Sequence, residues 1–190
     1  IKLILISENK NKYLSKNNLN YKRINLINSI LPNSVFLITI REPIQHAYSM
    51  LNQHLHFCKL QKENDFTRRY MNYLGHNEFG LNHISWNKPI EYRDFNNINY
   101  WLEQWCLFYQ KIIDNYQSHD KCIFIVYEKL TNSNYIQKLS NTINFYKNKN
   151  LDLNFFKNSN KNKLDISCSD YTKKIANEIY DNFKIRNNFS

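Results

Sequence analysis

The segment VFLITIREPIQHAYSML, residues 35–51, constrains the fold most strongly because it joins a strand to a helix within three residues. Residues 35–40 are apolar or β-branched and do not alternate with polar residues, which is typical of a strand covered on both faces. Pro43 suits the first turn of a helix, where its missing N–H costs nothing. We therefore expect Arg41 to stand at the carboxyl end of a buried parallel strand, at the start of a helix.

Two other apolar runs, residues 2–7 and 121–127, have the same composition and predict two further buried strands. The clearest helical pattern runs from Ile98 to Tyr116, with large apolar residues at steps of three and four. Weaker helical patterns cover residues 19–30, 43–57, 135–146 and 171–183, the last with Asp170 as its N-cap. Strands that alternate with helices predict an α/β fold, with a central parallel sheet flanked by helices.

The chain has 190 residues, of which 42% are hydrophobic and 15% aromatic, enough for the core of one domain over residues 1–190. Within it, residues 61–89 form an excursion that contains both glycines and ends in a stretch without a sustained period. Excursions of this kind often cover a site. The Asn- and Lys-rich residues 147–167 predict a flexible surface connection.

The net charge of +10 favours anionic partners, such as nucleotides, nucleic acid, sulfated or phosphorylated ligands, or membrane surfaces. Part of the lysine excess reflects residues with A/T-rich codons, so charge alone does not choose among these partners. No apolar run reaches transmembrane length, from which we expect a soluble, cytoplasmic protein without a transmembrane segment. The chain starts at Ile1 on an apolar run, and we expect further protein sequence upstream of it.

The four cysteines are far apart and include no C-x-x-C pair, which disfavours a zinc site. We expect reduced, mostly buried thiols. His54 and His56 are two residues apart on a predicted helix and therefore lie on different faces, which disfavours a metal shared between them. The sequence thus predicts no metal site.

Arg41 has two interpretations from its position alone. A guanidinium at the carboxyl end of a strand is well placed to recognise a phosphate, since ligands of open α/β sheets bind there. It could equally form an ion pair with Glu42 or Glu128 at a sheet edge. Ser49 follows Arg41 by eight residues and could share an anion with it if Arg41 folds back along the helix.

Arg41, Pro43 and Ser49 in IREPIQHAYSML resemble the 3′-phosphate-binding motif of sulfotransferases that use 3′-phosphoadenosine 5′-phosphosulfate (PAPS). Other segments resemble this family in the same order along the chain, from residue 14 to about residue 139. They are LSKNNLNYKRI before the strand, WLEQWCLFYQKI as the long aromatic helix and FIVYEKL as the next strand. The closing YTKKIANEIYDNF is similar to the C-terminal helix of the family.

The resemblance implies a P-loop-NTPase-like sulfotransferase fold and transfer of a sulfuryl group from PAPS to a hydroxyl or amine acceptor. Arg41 and Ser49 would bind the 3′-phosphate of PAPS, and Tyr127 would help to hold its adenine. Lys16 would contact the transferred sulfuryl group and stabilise its developing charge. PAPS would be the co-substrate, and no metal would take part.

The 5′-phosphosulfate loop of the family is not found in residues 1–34, so we expect an N-terminally truncated domain whose loop lies upstream. Asn18 stands where some members of the family carry a catalytic histidine. His83, in the excursion where the family builds its acceptor site, is a candidate general base, although it could also be an ordinary loop histidine. The late R-K-G clamp is absent, with Lys157 and Lys161 as its weak substitutes.

A second hypothesis from another functional class stays open at this point. The chain could be a non-catalytic relative that binds a nucleotide or RNA through a basic α/β surface; we do not expect DNA as a partner. If the chain is an enzyme, its acceptor could be a carbohydrate, a lipid, a peptide or a small alcohol.

Overall fold

The structure is a computed structural model that describes residues 1–88, 92–143 and 167–185. The chain divides into two compact units, Ile1–Phe36 and Leu37–Ser190. Among the residues described, no helix is long and apolar enough to cross a membrane.

The first unit contains short helices: α1 (Lys2–Ser7), a 3₁₀ helix (Asn18–Arg23) and α2 (Ile24–Ile30). The predicted strand over residues 2–7 was wrong, since this segment is α1, with Leu3 and Ile6 82% and 75% exposed. An apolar run this short has no periodicity by which a strand could be distinguished from a helix. A helix satisfies its hydrogen bonds within the segment, without the neighbouring strand that a sheet requires.

The second unit consists mostly of helices, and its first strand also includes Phe36, the last residue of the first unit. The elements are β1 (Phe36–Ile40), α3 (Pro43–Glu63), α4 (Asp65–Tyr73), α5 (Ile98–Tyr116), β2 (Cys122–Val126), a 3₁₀ helix (Tyr127–Thr131), α6 (Ser133–Thr142) and α7 (Asp170–Ile185). The predicted helices are found in their described parts, although that over residues 19–30 is 3₁₀ up to Arg23, and α3 continues six residues past its expected end at Phe57. In the helix predicted over residues 135–146, α6 ends at Thr142, and residues 144–146 lie outside the described residues. Asp170, the expected N-cap of α7, is the first helical residue.

The described sheet has two parallel strands, β1 and β2. The α/β class is therefore confirmed, while the helices outweigh the sheet. The buried residues Phe124, Ile125 and Val126 fit the prediction of a strand covered on both faces for β2. In β1 that prediction was wrong, because exposed and less exposed residues alternate and Leu37 is 40% exposed. A pattern of this kind marks a strand with one better-covered face.

Helix α5 forms the centre of the second unit. Trp101, Leu102 and Trp105 are at most 1% exposed, and residues 100–106 are all buried, which covers every side of this part of the helix; in the second half, Gln110, Lys111, Asp114 and Asn115 form an exposed face. Helices α3 and α7 both pack against it. A helical segment buried all round needs cover on every face, so the first half of α5 determines where the surrounding elements can lie.

The predicted excursion over residues 61–89 starts in the last turn of α3 and includes the helix α4, and only Leu74 to Lys88 is irregular; Pro89 lies outside the described residues. Gly75 and Gly80 have φ angles of +70° and +93°. Such angles strain residues with a side chain. The predicted connection over residues 147–167 also lies outside the described residues, apart from Ser167.

The two glycines provide a matched pair for testing how this loop is held. A Cβ at Gly80 would lie 2.5 Å from Gln61 Oε1, whereas at Gly75 it would meet nothing within 4 Å. Since Gln61 Oε1 accepts a hydrogen bond from the Leu81 N–H at 2.7 Å, Gly80→Ala would also disturb that bond. We expect Gly80→Ala to lower the free energy of unfolding by about 3 kcal/mol and Gly75→Ala by about 1 kcal/mol.

Urea denaturation of the two variants beside the wild type measures both values. Equal losses in the two variants would show that Gly80 needs only its backbone conformation and that its contact with Gln61 is unimportant.

Candidate functional site

The junction between β1 and α3 is built as the sequence predicts. The strand ends at Ile40, which is 1% exposed, and Pro43 is the buried first residue of α3. Glu42 is the N-cap, and its carboxylate accepts hydrogen bonds from the N–H groups of Ile44 at 3.2 Å and Gln45 at 2.7 Å. Arg41 is therefore held in a compact turn between the strand and the helix.

The cap leaves no backbone donor of the first turn of α3 for an anion. Pro43 has no N–H, Ile44 and Gln45 donate to the Glu42 carboxylate, and the His46 N–H donates to the Glu42 carbonyl at 2.9 Å. In many α/β proteins these groups bind the phosphate. Here, recognition of an anion falls to side chains.

Arg41 and Tyr127, two of the predicted cofactor-binding residues, come together in the structure. Arg41 Cζ lies 5.5 Å from the centroid of the Tyr127 ring, in a cation–π contact. Arg41 Nη2 also lies 3.5 Å from Gln45 Oε1, one turn into α3. Since Tyr127 follows β2 directly, the two side chains mark the carboxyl ends of neighbouring parallel strands, where ligands of α/β proteins bind.

Glu42 and Glu128, which the sequence offers as ion-pair partners of Arg41, both accept hydrogen bonds from other groups. The carboxylate of Glu42 caps α3, as described above. Glu128 Oε1 accepts a hydrogen bond from the Glu42 N–H at 2.8 Å, and Glu128 Oε2 accepts one from the Tyr180 hydroxyl at 2.7 Å. Glu128 thus ties the β1–α3 junction to α7.

His46, one turn into α3, adds a neutral imidazole close to this junction. Burial and the charge of Arg41 lower the pKa of His46 to about 4, while the charge of Glu128 acts in the opposite direction. Its ring packs on Tyr109, with 6.3 Å between centroids, and the Tyr109 hydroxyl donates to the Thr39 carbonyl of β1 at 2.9 Å. Arg41 therefore faces an uncharged neighbour at neutral pH.

Ser49 and Lys16 are both exposed. Ser49 lies on α3, about 9 Å along the helix axis from Pro43. Lys16 belongs to the first unit, in an irregular segment just before the 3₁₀ helix that Asn17 caps. The predicted roles of both residues stay predictions.

His83 lies in an enclosed aromatic cluster. Its Nε2 is 2.7 Å from the Tyr100 hydroxyl, which is 2.6 Å from Ser85 Oγ. Burial lowers the pKa of His83, opposed by backbone groups of Glu78 and Asn77. The ring also packs on His54, with 5.4 Å between centroids.

The position of this cluster bears on the predicted role of His83 as general base. His54, against which His83 packs, follows Pro43 by three turns of α3, roughly 16 Å. The hydrogen bond with Tyr100 already engages His83 Nε2. The predicted role therefore requires an acceptor that reaches into the cluster.

Sequence reasoning missed the polar residues that attach the excursion to the helices. His54 Nδ1 accepts from the Gly80 N–H at 3.3 Å, beside the contact of Gln61 with Leu81. Gln104 bonds both backbone groups of Asn87, at 3.1 and 2.8 Å. The available signal was the presence of Gln61 and Gln104 at buried positions of helices, because a buried polar side chain needs a partner.

The cysteines are all free, as predicted, and carry protonated thiols at neutral pH. Burial raises the pKa of Cys106 to about 12 and that of Cys122 to about 11, and it also raises those of Cys58 and Cys168. Within residues 1–88, 92–143 and 167–185, no group of three or more His, Cys, Asp or Glu residues is placed to hold a metal ion.

No family model matches the chain, and comparisons with curated proteins and with solved structures give no match.

The neutral imidazoles make stability depend on pH. Burial and neighbouring His83 lower the pKa of His54 to about 4, similar to that of His46. The unfolded chain takes up protons on these residues below pH 6.5, whereas the folded protein does so only near pH 4. The contribution of these two histidines to the free energy of unfolding is therefore fully present above pH 6.5 and is lost between pH 6.5 and pH 4.

For His46 this loss amounts to roughly 3 kcal/mol across that window. We expect His46→Gln to lose this part of the pH dependence and Gln53→Ala, an exposed change on the same helix, to keep the wild-type dependence. Denaturant unfolding at several pH values measures it. An unchanged dependence in His46→Gln would mean that His46 titrates alike in the folded and unfolded states.

Proposed function

We propose that this protein is a sulfotransferase domain that binds PAPS and transfers its sulfuryl group to a hydroxyl or amine acceptor. The observation that carries the proposal is the contact between Arg41 and Tyr127 at the carboxyl ends of β1 and β2. These residues come from motifs far apart in the sequence, IREPIQHAYSML and FIVYEKL, and both motifs resemble those of the same family.

The chemistry of the pair suits the nucleotide. A guanidinium presents a planar fork of donors that matches a phosphate, and the aromatic ring beside it offers an apolar face to adenine. Because Glu42 occupies the first-turn N–H groups of α3, the 3′-phosphate would depend on Arg41, with the exposed hydroxyl of Ser49 as a further donor. The contribution of Arg41 to affinity is accordingly large.

The reaction is a direct in-line displacement. The acceptor oxygen or nitrogen attacks sulfur while the bond from sulfur to the bridging oxygen of the 5′-phosphate breaks. Adenosine 3′,5′-bisphosphate leaves with that electron pair, and the proton of the acceptor passes to a base. Catalysis of this kind consists mainly of positioning and of cationic stabilisation of the transferred and leaving oxygens. The family resemblance implies Lys16, in the first unit, as the source of that charge, and His83 is the proposed base.

Calorimetric titration with adenosine 3′,5′-bisphosphate tests the nucleotide site without requiring an acceptor. We expect the wild type to bind and Arg41→Ala to bind at least 30-fold more weakly, since a charged hydrogen-bonded pair contributes about 2–3 kcal/mol. Ser49→Ala should weaken binding about fivefold, the effect of one neutral donor.

The matched control is Arg69→Ala, which removes the same charge from an exposed position on α4 where Arg69 faces Asp65 at 3.8 Å. It should bind like the wild type. Equal losses in Arg41→Ala and Arg69→Ala would indicate non-specific attraction to the basic chain, as expected for the alternative of a general nucleotide- or RNA-binding module.

A further inference from the structure

Gly80 and Leu81, in the irregular part of the excursion, are attached to two side chains on one face of α3. The Gly80 N–H donates to His54 Nδ1 at 3.3 Å, and the Leu81 N–H donates to Gln61 Oε1 at 2.7 Å. His54 and Gln61 are seven residues apart and therefore lie on the same side of the helix. The Gly80 carbonyl in turn accepts from the His83 N–H at 3.1 Å. The backbone of Gly80 thus connects α3 to His83.

The hydrogen bond from Gly80 determines where His54 carries its proton. Because Nδ1 accepts, the ring is neutral and its proton is on Nε2, which lies 3.5 Å from Cys58 Sγ. His54 is 3% exposed, and burial together with the neighbouring His83 lowers its pKa to about 4. A second proton would turn Nδ1 into a donor that faces the Gly80 N–H, so the bond would be lost.

The surroundings of His54 disfavour its charged form. The rings of Trp101 and Phe95 pack on it, with 5.3 and 6.2 Å between centroids, and carry no charge. The ring of His83, 5.4 Å away, is titratable, and burial lowers its pKa as well. Cys58 keeps its proton because burial raises the pKa of its thiol. A charged His54 would therefore repel a charged His83 without a compensating carboxylate among these neighbours.

Two further titratable groups act on His83 in the closed loop. The charge of Glu78 raises the pKa of His83, but burial outweighs it. The Tyr100 hydroxyl, whose own pKa burial raises, lies 2.7 Å from His83 Nε2 and keeps its proton at neutral and acid pH. Neither group offsets the cost of charging the two packed imidazoles.

The segment from Gly80 to Ser85 buries little apolar surface that would resist its opening. Its large apolar residues, Leu81 and Ile84, are 39% and 63% exposed. The helices, by contrast, are held by the buried first half of α5, in which the bond between His54 and Gly80 takes no part. Segments with few buried apolar contacts open at a lower free energy than the core of a domain.

We propose that His54 is a pH-sensitive latch. Its neutral ring holds residues 80–85 against α3, and protonation of Nδ1 releases them while the helices stay packed. Opening brings the enclosed cluster around His83 into contact with solvent. The latch does not depend on the proposed function, so either can fail while the other stands.

Protons bind more tightly to the open loop than to the closed one. In the open loop His54 is solvated and has its ordinary pKa of 6.5, whereas in the closed loop its pKa is about 4. Opening is therefore favoured as the pH falls below 6.5. At pH 5 the two values correspond to an equilibrium constant for opening roughly 30-fold larger than at pH 7.5.

Hydrogen exchange of the Gly80 amide, followed by NMR at pH 5 and pH 7.5, measures this opening. We expect its protection factor to be at least tenfold lower at pH 5. In His54→Asn it should be the same at both pH values, because the Asn Oδ1 can accept from the Gly80 N–H and does not titrate. His56→Asn, the same change at an exposed position of α3, is the matched control and should behave like the wild type.

A protection factor of Gly80 that is equal at the two pH values in the wild type overturns the proposal, as does an equal fall in His54→Asn. The Trp105 amide, in the buried half of α5, should be at least tenfold better protected than Gly80 at pH 5. Equal protection would mean that the whole unit unfolds, which also overturns the latch.

If His54→Asn does not fold, the imidazole ¹⁵N signals of the wild type decide. His54 must then take up its proton over the same pH range in which Gly80 loses protection. A different range would show that another group controls the loop and would overturn the proposal.

Discussion

The burial of the first half of α5 on all sides is the constraint on which the rest of the second unit depends. A helix of this kind is stable only when other elements cover each of its faces. Its polar groups also need partners, and they find them in different parts of the chain: Tyr100 and Gln104 in the excursion, and Tyr109 in the backbone of β1. One helix thus fixes both the loop and the strand β1, which Arg41 follows directly.

The β1–α3 junction differs from a simple helix N-terminus that binds an anion. Glu42 satisfies the donors of the first turn, and its own N–H donates to Glu128, which in turn accepts from the Tyr180 hydroxyl. In the proposed nucleotide site, positive charge therefore comes from the guanidinium of Arg41, beside the ring of Tyr127.

The elements with a clear periodicity could be predicted from the sequence. The pattern of α5 and the succession of apolar run, Arg41 and Pro43 both follow local rules, and both are found. Lys2–Ser7 could not be assigned in this way, since a six-residue apolar run suits a strand or a helix equally. Whether this segment forms a strand or a helix depends on whether a neighbouring strand is present to pair with it.

In the candidate site, too, some contacts follow from local sequence patterns and others do not. The proximity of Arg41 and Tyr127 followed from the expectation that both stand at the ends of parallel strands. The bond between Tyr180 and Glu128 joins residues 52 positions apart and has no local signal. The hydrogen bond between His54 and the Gly80 N–H has no local signal either. The partner of His54 is determined by the geometry of the folded chain.

The central claim is that Arg41 and its neighbours recognise a nucleotide through its 3′-phosphate. The most direct measurement compares the affinity of the wild type for adenosine 3′,5′-bisphosphate and for adenosine 5′-monophosphate, which lacks only that group. We expect the bisphosphate to bind at least tenfold more tightly, since its 3′-phosphate is the group that engages the guanidinium. Equal affinity for the two nucleotides would contradict it.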